Sequence, residues 1–163
     1  MRGVNDADVL KRLADHGLEL PPPTKPVAAY VPVVVSGSLA FVAGQVPIVD
    51  GQVMHPGLLG GDVSVEQGYE GGRRAALQAL SVLRAELGSF ERLRRIAQVT
   101  VYIASTPDFR DHPQVANGAS ELLVAALGEE GKHARAAIGM SSLPLGGSIE
   151  VVITAEVEAA VSS

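Results

Sequence analysis

Apolar positions recur at helical spacing in two long stretches of the chain. Residues 64–87 place small apolar side chains every three or four positions, and Ser64 with Gln67 fits a capping box at the start. Residues 112–127 show the same spacing, and Gly128 is a typical helix-ending residue. The pattern therefore predicts two long amphipathic helices, each with one face turned to a core.

Other stretches alternate apolar and polar residues with the period of two that is typical of strands. Ser36-Gly37 predicts a tight turn between the first two strands, and Pro32 indicates that the first lies at a sheet edge or carries a bulge. The predicted extended segments are 28–35, 39–43, 45–49, 96–104, 134–140 and 149–157. Residues 54–62 contain several glycines and are predicted to form a loop.

The order of these elements predicts the α+β class, with a single mixed β-sheet and two long helices on one of its faces. Two helices cannot cover all the apolar side chains of the strands, so the other face is expected to remain apolar and uncovered. The residues assigned to it are Tyr30, Val33, Val35, Phe41, Val101 and Ile153. Such a face usually marks a binding partner, and a second copy of the chain is the simplest one.

The amino-terminal residues are expected to form a separate short piece. Asn5 or Asp6 can cap a helix that Gly17 ends, and the run PPPTKP at 21–26 predicts an extended connector. The division predicted is therefore 1–27 for this helix and connector, and 28–163 for the main domain.

The composition of the chain excludes several classes of function. The 163 residues suit one domain, and a net charge of -5 makes a nucleic-acid partner unlikely. Absence of Cys excludes disulfides, thiolate catalysis and Cys-based zinc sites. No secretory signal or membrane-spanning run is found, so a cytoplasmic protein without a membrane partner is expected.

Motif searches point away from metals and cofactors. The four His residues have no metal-ligand spacing, and no GxSxG, GxGxxG or P-loop pattern occurs. We therefore expect no metal and no cofactor. His133 lies close to Arg135, and it either faces the same pocket or is a solvent-exposed loop residue.

Two charged residues in apolar strands remain, Arg135 in HARAAIGM and Glu150 in SIEVVITAEV. A charged side chain in such a strand needs a counter-ion or a ligand, and the planar guanidinium suits a carboxylate. The two residues form a salt bridge if their strands pair as neighbours, or they bind a ligand. Sequence reasoning leaves both alternatives open.

Three segments resemble the RidA family, also called YjgF-type or endoribonuclease L-PSP-like proteins. They are AAYVPVVVSGSLAFVAGQVP, VANGAS and HARAAIGMSSLPLGGSIEV, spread between residues 28 and 157. Tyr30 precedes Gln45 by fifteen residues, and Arg135 precedes Glu150 by fifteen, as in the family. The resemblance implies the chorismate mutase-like fold and a homotrimer that associates through the sheet face, with sites between subunits.

The resemblance also implies hydrolysis of reactive 2-imino or enamine acids to 2-oxo acids and ammonia. In that role Arg135 holds the substrate carboxylate and Glu150 handles the attacking water. Four further residues would line the site, namely Tyr30, Asn117, Gly44 and Ala137. Ala43 and Ala137 replace the Ser and Cys common in the family, and the amino-terminal helix and residues 50–62 resemble a distinct branch.

Two other functions are compatible with these residues. One is a non-catalytic protein that binds a small carboxylate metabolite through Arg135. The other is an endoribonuclease or translation inhibitor, which the acidic charge and the absence of a His pair disfavour.

Overall fold

A computed structural model describes residues 3–25 and 28–159 of the chain. Its helices are α1 (Asp6–Asp15), α2 (Val65–Leu87) and α3 (His112–Leu127). Its strands are β1 (Val33–Ser36), β2 (Leu39–Gln45), β3 (Ile48–Val49), β4 (Gln52–Val53), β5 (Leu93–Ala104), β6 (Ala134–Met140) and β7 (Ile149–Val157). Residues 1–2, 26–27 and 160–163 lie outside the described part, and these include the predicted boundary between residues 27 and 28.

Five strands form one sheet in the order β1-β2-β7-β5-β6. β5 and β6 run parallel and are connected through α3, whereas the other neighbouring pairs are antiparallel. α2 and α3 pack against each other and lie on the same face of the sheet. The predicted α+β class, with one mixed sheet and two long helices on one face, is confirmed.

Local chemistry fixes where the long helices begin and end. Ser64 and Gln67 form the predicted reciprocal capping box at the start of α2, and Gly88 ends the helix in the left-handed conformation. α3 begins at His112 with a proline in its first turn and gives way to a 3₁₀ turn at Gly128. Both predicted long helices are therefore confirmed.

The two faces of the sheet differ from the predicted assignment. Val33, Val101 and Ile153, expected on the uncovered face, are at most 4% exposed and belong to the core beneath the helices. Val35 also packs against that core. Because side chains alternate along a strand, choosing the wrong phase exchanges the two faces.

The uncovered face, defined here as the sheet face opposite α2 and α3, is nevertheless apolar. Its exposed large residues are Val34, Leu39, Phe41, Ile138 and Met140, which are between 37% and 51% exposed. Phe41 was assigned correctly, whereas Tyr30 is exposed but precedes β1. The prediction of an uncovered apolar face is thus confirmed with a different set of residues.

The first strands are organised differently from the prediction. β1 begins only at Val33, after Pro32, and lies at the sheet edge as expected of a proline-flanked strand. β2 continues to Gln45 with an irregular register beyond Val42. Residues 45–49 are not one extended segment, because β3 and β4 form a small hairpin around Asp50-Gly51, both with positive φ.

α1 is bound to the main domain by a partly buried ion pair between Asp6 and Arg84. Asn5 caps the helix as predicted. Asp6 accepts hydrogen bonds from Arg84 Nε at 2.9 Å and Nη2 at 2.8 Å, and from the Phe90 backbone N–H at 2.8 Å. These bonds lower the pKa of the Asp6 carboxyl, the Arg84 contact being the largest cause. The helix therefore docks against α2 and α3.

Candidate functional site

Glu150 stands on β7 with its side chain on the uncovered face, opposite Tyr102 of β5. The carboxylate is half-buried, and burial raises the pKa of this carboxyl above its ordinary value. Among the residues that the structure describes, none donates a hydrogen bond to the Glu150 carboxylate or forms an ion pair with it. A half-desolvated carboxylate without a protein partner is suited to exchange protons with a ligand or a water molecule.

Gly44 makes room for this carboxylate. A Cβ atom at position 44 would stand 2.9 Å from Cδ of Glu150 and closer still to Oε1, which real Cβ atoms essentially never do. Gly44 lies in β2 at the register irregularity between Val42 and Gln45. Gly44 and Glu150, both predicted site residues, therefore lie together. They can do so because Gly44 has no side chain to collide with the carboxylate.

These two residues line a cleft of about 430 Å³, called here the Glu150 cleft. Tyr30 lines the same cleft, as predicted. The remaining lining comes from the connector, the end of β2 and the turn before β7, and its residues include Thr24, Lys25, Pro32, Gln45, Pro144 and Leu145. Three of the predicted site residues, Tyr30, Gly44 and Glu150, thus lie together in this cleft.

The connector supplies a wall of the cleft that sequence reasoning missed. Ser81 of α2 donates a hydrogen bond to the Pro21 carbonyl, which fastens the connector to the helix layer. Thr24 Oγ1 donates to Gln45 Oε1 at 3.3 Å, and Lys25 lines the cleft. The connector, rather than α1, therefore borders the Glu150 cleft.

Arg135 belongs to a different place in the fold, called here the Arg135 cluster. It lies on the edge strand β6 and faces α3, where its Nη1 donates to Asn117 Oδ1 at 2.8 Å and to Ser120 Oγ at 3.2 Å. Its Nη2 lies 3.5 Å from the Pro113 carbonyl. Ala137 follows two positions later on the same face of the strand. The predicted association of Arg135 with Asn117 is observed.

The guanidinium is held mainly through Nη1. Both hydrogens of Nη1 are directed to Asn117 and Ser120, and no carboxylate of the described residues lies within ion-pair distance of Arg135. The Pro113 carbonyl takes one hydrogen of Nη2, and the side chain is exposed, which leaves the Nε hydrogen and the second Nη2 hydrogen available to a ligand. This edge offers two parallel donors, the geometry that binds a carboxylate in bidentate fashion.

Of the two alternatives left open for Arg135 and Glu150, the salt bridge between them is excluded within one chain. Their strands are not neighbours, because β5 lies between β6 and β7. Arg135 is in the cross-strand row of Val99 and Ile153, beneath the helices, whereas Glu150 is on the uncovered face. One chain therefore carries two half-sites on opposite faces of its sheet.

His133 adopts neither of its two predicted positions. The ring is half-buried between α3 and the start of β6, with Nε2 at 2.9 Å from Ser120 Oγ and Nδ1 at 2.6 Å from the Gly131 carbonyl. Burial lowers the pKa of this imidazole, and the nearby Arg135 charge lowers it further. Ser120, which joins His133 to Arg135, was not singled out from the sequence.

Residues 3–25 and 28–159 contain neither a metal-ligand cluster nor a helix that could span a membrane. No group of three or more His, Asp or Glu side chains there is arranged to hold a metal ion. Within the same ranges, the helices are all too short or too polar to cross a lipid bilayer.

The fold is that of the chorismate mutase-like α+β class. A family model described as "YjgF/chorismate mutase-like, putative endoribonuclease" matches residues 10–157, and the chain belongs to this family. The resemblance to the RidA or YjgF-type proteins is thereby confirmed.

Individual relatives cover nearly the whole chain. Protein TCP17 of Trypanosoma cruzi is 38% identical over 152 residues, which are 93% of this chain and 95% of the relative. The crystal structure of Atu1372 from Agrobacterium tumefaciens, described as of unknown function, is 37% identical with a TM-score of 0.88 and 94% coverage of both chains. A crystal structure from Shewanella oneidensis, described as that of a "putative endoribonuclease", is 32% identical with a TM-score of 0.88. The match covers 91% of this chain and 99% of that one.

Proposed function

We propose that this protein is a deaminase that hydrolyses 2-imino and enamine acids to 2-oxo acids and ammonia. The observation that supports this most is the pair of half-sites, an unpartnered carboxylate with a raised pKa and a guanidinium anchored at one end. A 2-imino acid presents the two complementary groups, a carboxylate for Arg135 and an electrophilic carbon for a water that Glu150 activates.

We propose further that each site is formed between two copies of the chain. Within one chain the sheet separates Arg135 from Glu150, and the uncovered face carries an exposed apolar surface beside Glu150. Placing the β6 edge of one copy against the uncovered face of another buries that surface and brings the two half-sites together. Such an interface joins two different patches, so it is heterologous, and we propose that the rotation between copies closes it into a ring. A homotrimer is the smallest such ring.

The proposed reaction uses these residues in order. The outward edge of Arg135 binds the substrate carboxylate, and Glu150 accepts a proton from water as its oxygen attacks C2 of the imine. The imine reacts as its N-protonated iminium, so this addition gives a neutral 2-amino-2-hydroxy intermediate. Glu150 returns the proton to the amine nitrogen, and the C–N bond breaks as Glu150 takes the hydroxyl proton, so that the C2–OH becomes the carbonyl and ammonia leaves. Glu150 then passes this last proton to ammonia or water. An enamine enters after tautomerising to the imine. The raised pKa of Glu150 suits a group that both takes and gives a proton.

The test of the activity generates the imine in situ with an amino-acid oxidase and measures 2-oxo acid release. Glu150→Gln is expected to bind substrate but lose turnover, whereas Arg135→Ala is expected to raise KM. If the wild-type protein gives no acceleration over buffer, the deaminase proposal fails. A melting-temperature increase with 2-oxobutanoate that Arg135→Ala abolishes would then support the alternative of a non-catalytic carboxylate-binding protein.

Mixing the two variants tests whether sites are shared. A site between copies regains function when Glu150 comes from an Arg135→Ala chain and Arg135 from a Glu150→Gln chain. Unfolding and refolding the two together in equal amounts should therefore restore about one quarter of wild-type activity. Each variant refolded alone is the control. If the mixture recovers nothing although wild type refolded in parallel is active, the shared site is excluded.

A further inference from the structure

Arg135 is attached to a chain of hydrogen bonds that the proposed reaction does not use. Ser120 Oγ lies 3.2 Å from Arg135 Nη1 and 2.9 Å from His133 Nε2. His133 Nδ1 lies 2.6 Å from the Gly131 carbonyl. The chain therefore runs from the guanidinium on β6, through a hydroxyl on α3, to the turn that follows that helix.

The directions of two of these bonds follow from the chemistry of the groups. A carbonyl oxygen only accepts, so His133 Nδ1 carries a proton and donates it to Gly131. A guanidinium only donates, so Ser120 Oγ accepts from Arg135. Because Ser120 Oγ has two acceptor lone pairs, its 2.9 Å distance to His133 Nε2 fits either direction. Burial and the Arg135 charge favour the neutral imidazole, which carries its proton on Nδ1 and accepts the Ser120 proton at Nε2.

We propose that Ser120 and His133 form a positioning relay that orients the Arg135 guanidinium for carboxylate binding. The inference rests on the proposed function, in that Arg135 is taken to bind the ligand carboxylate. An exposed arginine has many rotamers, and orienting it before binding avoids losing that freedom when the ligand arrives. Asn117 and the relay accept the two hydrogens of Nη1, and the Pro113 carbonyl accepts one of Nη2, which leaves the Nε hydrogen and the second Nη2 hydrogen for the ligand.

The electrostatics of His133 agree with this role. Burial lowers the pKa of the imidazole, and the Arg135 charge lowers it further, so the neutral form that the relay needs is favoured. On the adjoining turn, Glu129 and Lys132 are exposed and paired with each other at 2.7 Å, and Glu130 is beside them. From β5, Arg95 Nη2 lies 3.5 Å from the Lys132 carbonyl. Protonating His133 would place an imidazolium one hydroxyl away from the guanidinium.

The first experiment does not depend on any ligand. Long-range proton–nitrogen NMR spectra of the wild-type protein should show His133 as the Nδ1–H tautomer, and the Nη1 hydrogens of Arg135, which Asn117 and Ser120 accept, should give a separate, slowly exchanging signal. His133→Phe should broaden the Arg135 signal, and His133→Gln, whose amide oxygen can accept from Ser120, should restore it. The matched control is His16→Phe, because His16 is exposed and its Nδ1 lies 2.8 Å from the Arg12 carbonyl without any further link. A proton on Nε2 of His133 would overturn the relay.

The second experiment measures 2-oxobutanoate affinity in a Glu150→Gln background, which removes the other titrating carboxyl of the site. His133→Phe should weaken binding about tenfold relative to His16→Phe, as expected for a lost hydrogen bond to a charged group. Without a His133 substitution, affinity should fall as the pH drops below the ordinary imidazole range and His133 becomes protonated, and His133→Gln should flatten that dependence. Equal affinities for His133→Phe and His16→Phe would overturn the relay. Binding that survives Arg135→Ala would instead count against the proposed function, and the NMR result would still decide the relay.

Discussion

Replacing Gly44 by Ala should displace the Glu150 carboxylate with little effect on folding. The added Cβ would lie 2.9 Å from Cδ and 3.2 Å from Cγ of Glu150, whereas ordinary contacts begin near 3.4 Å. Because Oε1 is closer still, we expect the carboxylate to retreat by on the order of 1 Å, which costs about 100-fold in rate when a reacting group is misplaced. That loss corresponds to about 2.7 kcal/mol of transition-state stabilisation.

Stability should hardly change, because two small effects oppose each other. Forcing Glu150 off its preferred rotamer costs about 0.5–1.5 kcal/mol. Gly44 has no positive φ, so Ala at this position restricts the unfolded chain and contributes about 0.4–1 kcal/mol in the other direction. The free energy of unfolding is therefore expected to stay within about 1 kcal/mol of the wild-type value.

The assay pairs the coupled 2-oxo acid measurement with urea unfolding of the same preparation. The control is Gly61→Ala, the same chemical change in a loop where the nearest atom to the new Cβ would be 3.4 Å away. The reasoning is refuted if Gly44→Ala retains kcat within about twofold of Gly61→Ala. It is also refuted if the variant unfolds far more readily, since activity would then be lost through the fold.

Three further predictions use separate parts of the chain. Burial raises the pKa of Glu150, so the folded state binds that proton more tightly than the unfolded chain does. The free energy of unfolding should therefore fall as the pH rises from the ordinary pKa of the carboxyl to its raised pKa. Urea unfolding should show Glu150→Gln to be more stable than wild type at neutral pH and equally stable near pH 4. Asp6→Ala should lower the free energy of unfolding, measured with urea, by about 1–2 kcal/mol. This loss should fade below pH about 4, where acid protonates the carboxyl of the wild-type protein. As the control, Asp15→Ala removes an exposed ion pair and should change the free energy of unfolding by under about 0.5 kcal/mol. Lys25→Met should raise KM for 2-imino acids with a second carboxylate and leave KM for monocarboxylates unchanged, since Lys25 adds a cation to the Glu150 cleft; equal effects on both substrate classes would contradict it.

Features governed by short-range chemistry were predictable from the sequence. Ser64 with Gln67 marks the start of α2 because the two side chains satisfy each other's neighbouring N–H groups, and Gly88 marks its end because it adopts a left-handed conformation without strain. The same holds for Asn5 at the start of α1. None of these signals depends on how the rest of the chain is arranged.

The faces of the strands were not predictable in the same way. Val33, Val34 and Val35 follow one another without a polar residue to show which side meets solvent, so the phase of the alternation is ambiguous. Only the antiparallel register, which pairs Val34 with Phe41, places Val34 on the uncovered face.

The separation of Arg135 from Glu150 depends on topology. A fifteen-residue spacing that includes a turn says nothing about which face each residue occupies, and strands consecutive in sequence need not pair. β6 instead pairs with β5 through the α3 crossover, which moves it away from β7. The place of Thr24 and Lys25 was likewise hidden, because a proline-rich segment has no periodicity and its position is fixed by distant hydrogen bonds.

The position of β7 has a consequence for how the protein is made. This strand is the last of the described strands in sequence, yet it is the central one, bonded to β2 on one side and to β5 on the other. On the ribosome, the β1–β2 hairpin and the β5–α3–β6 unit emerge before it, and each exposes an unpaired strand edge of the kind that promotes aggregation. Completion of the sheet is therefore a late, long-range step, and a chain interrupted before residue 149 is left with two sheet fragments that no strand joins.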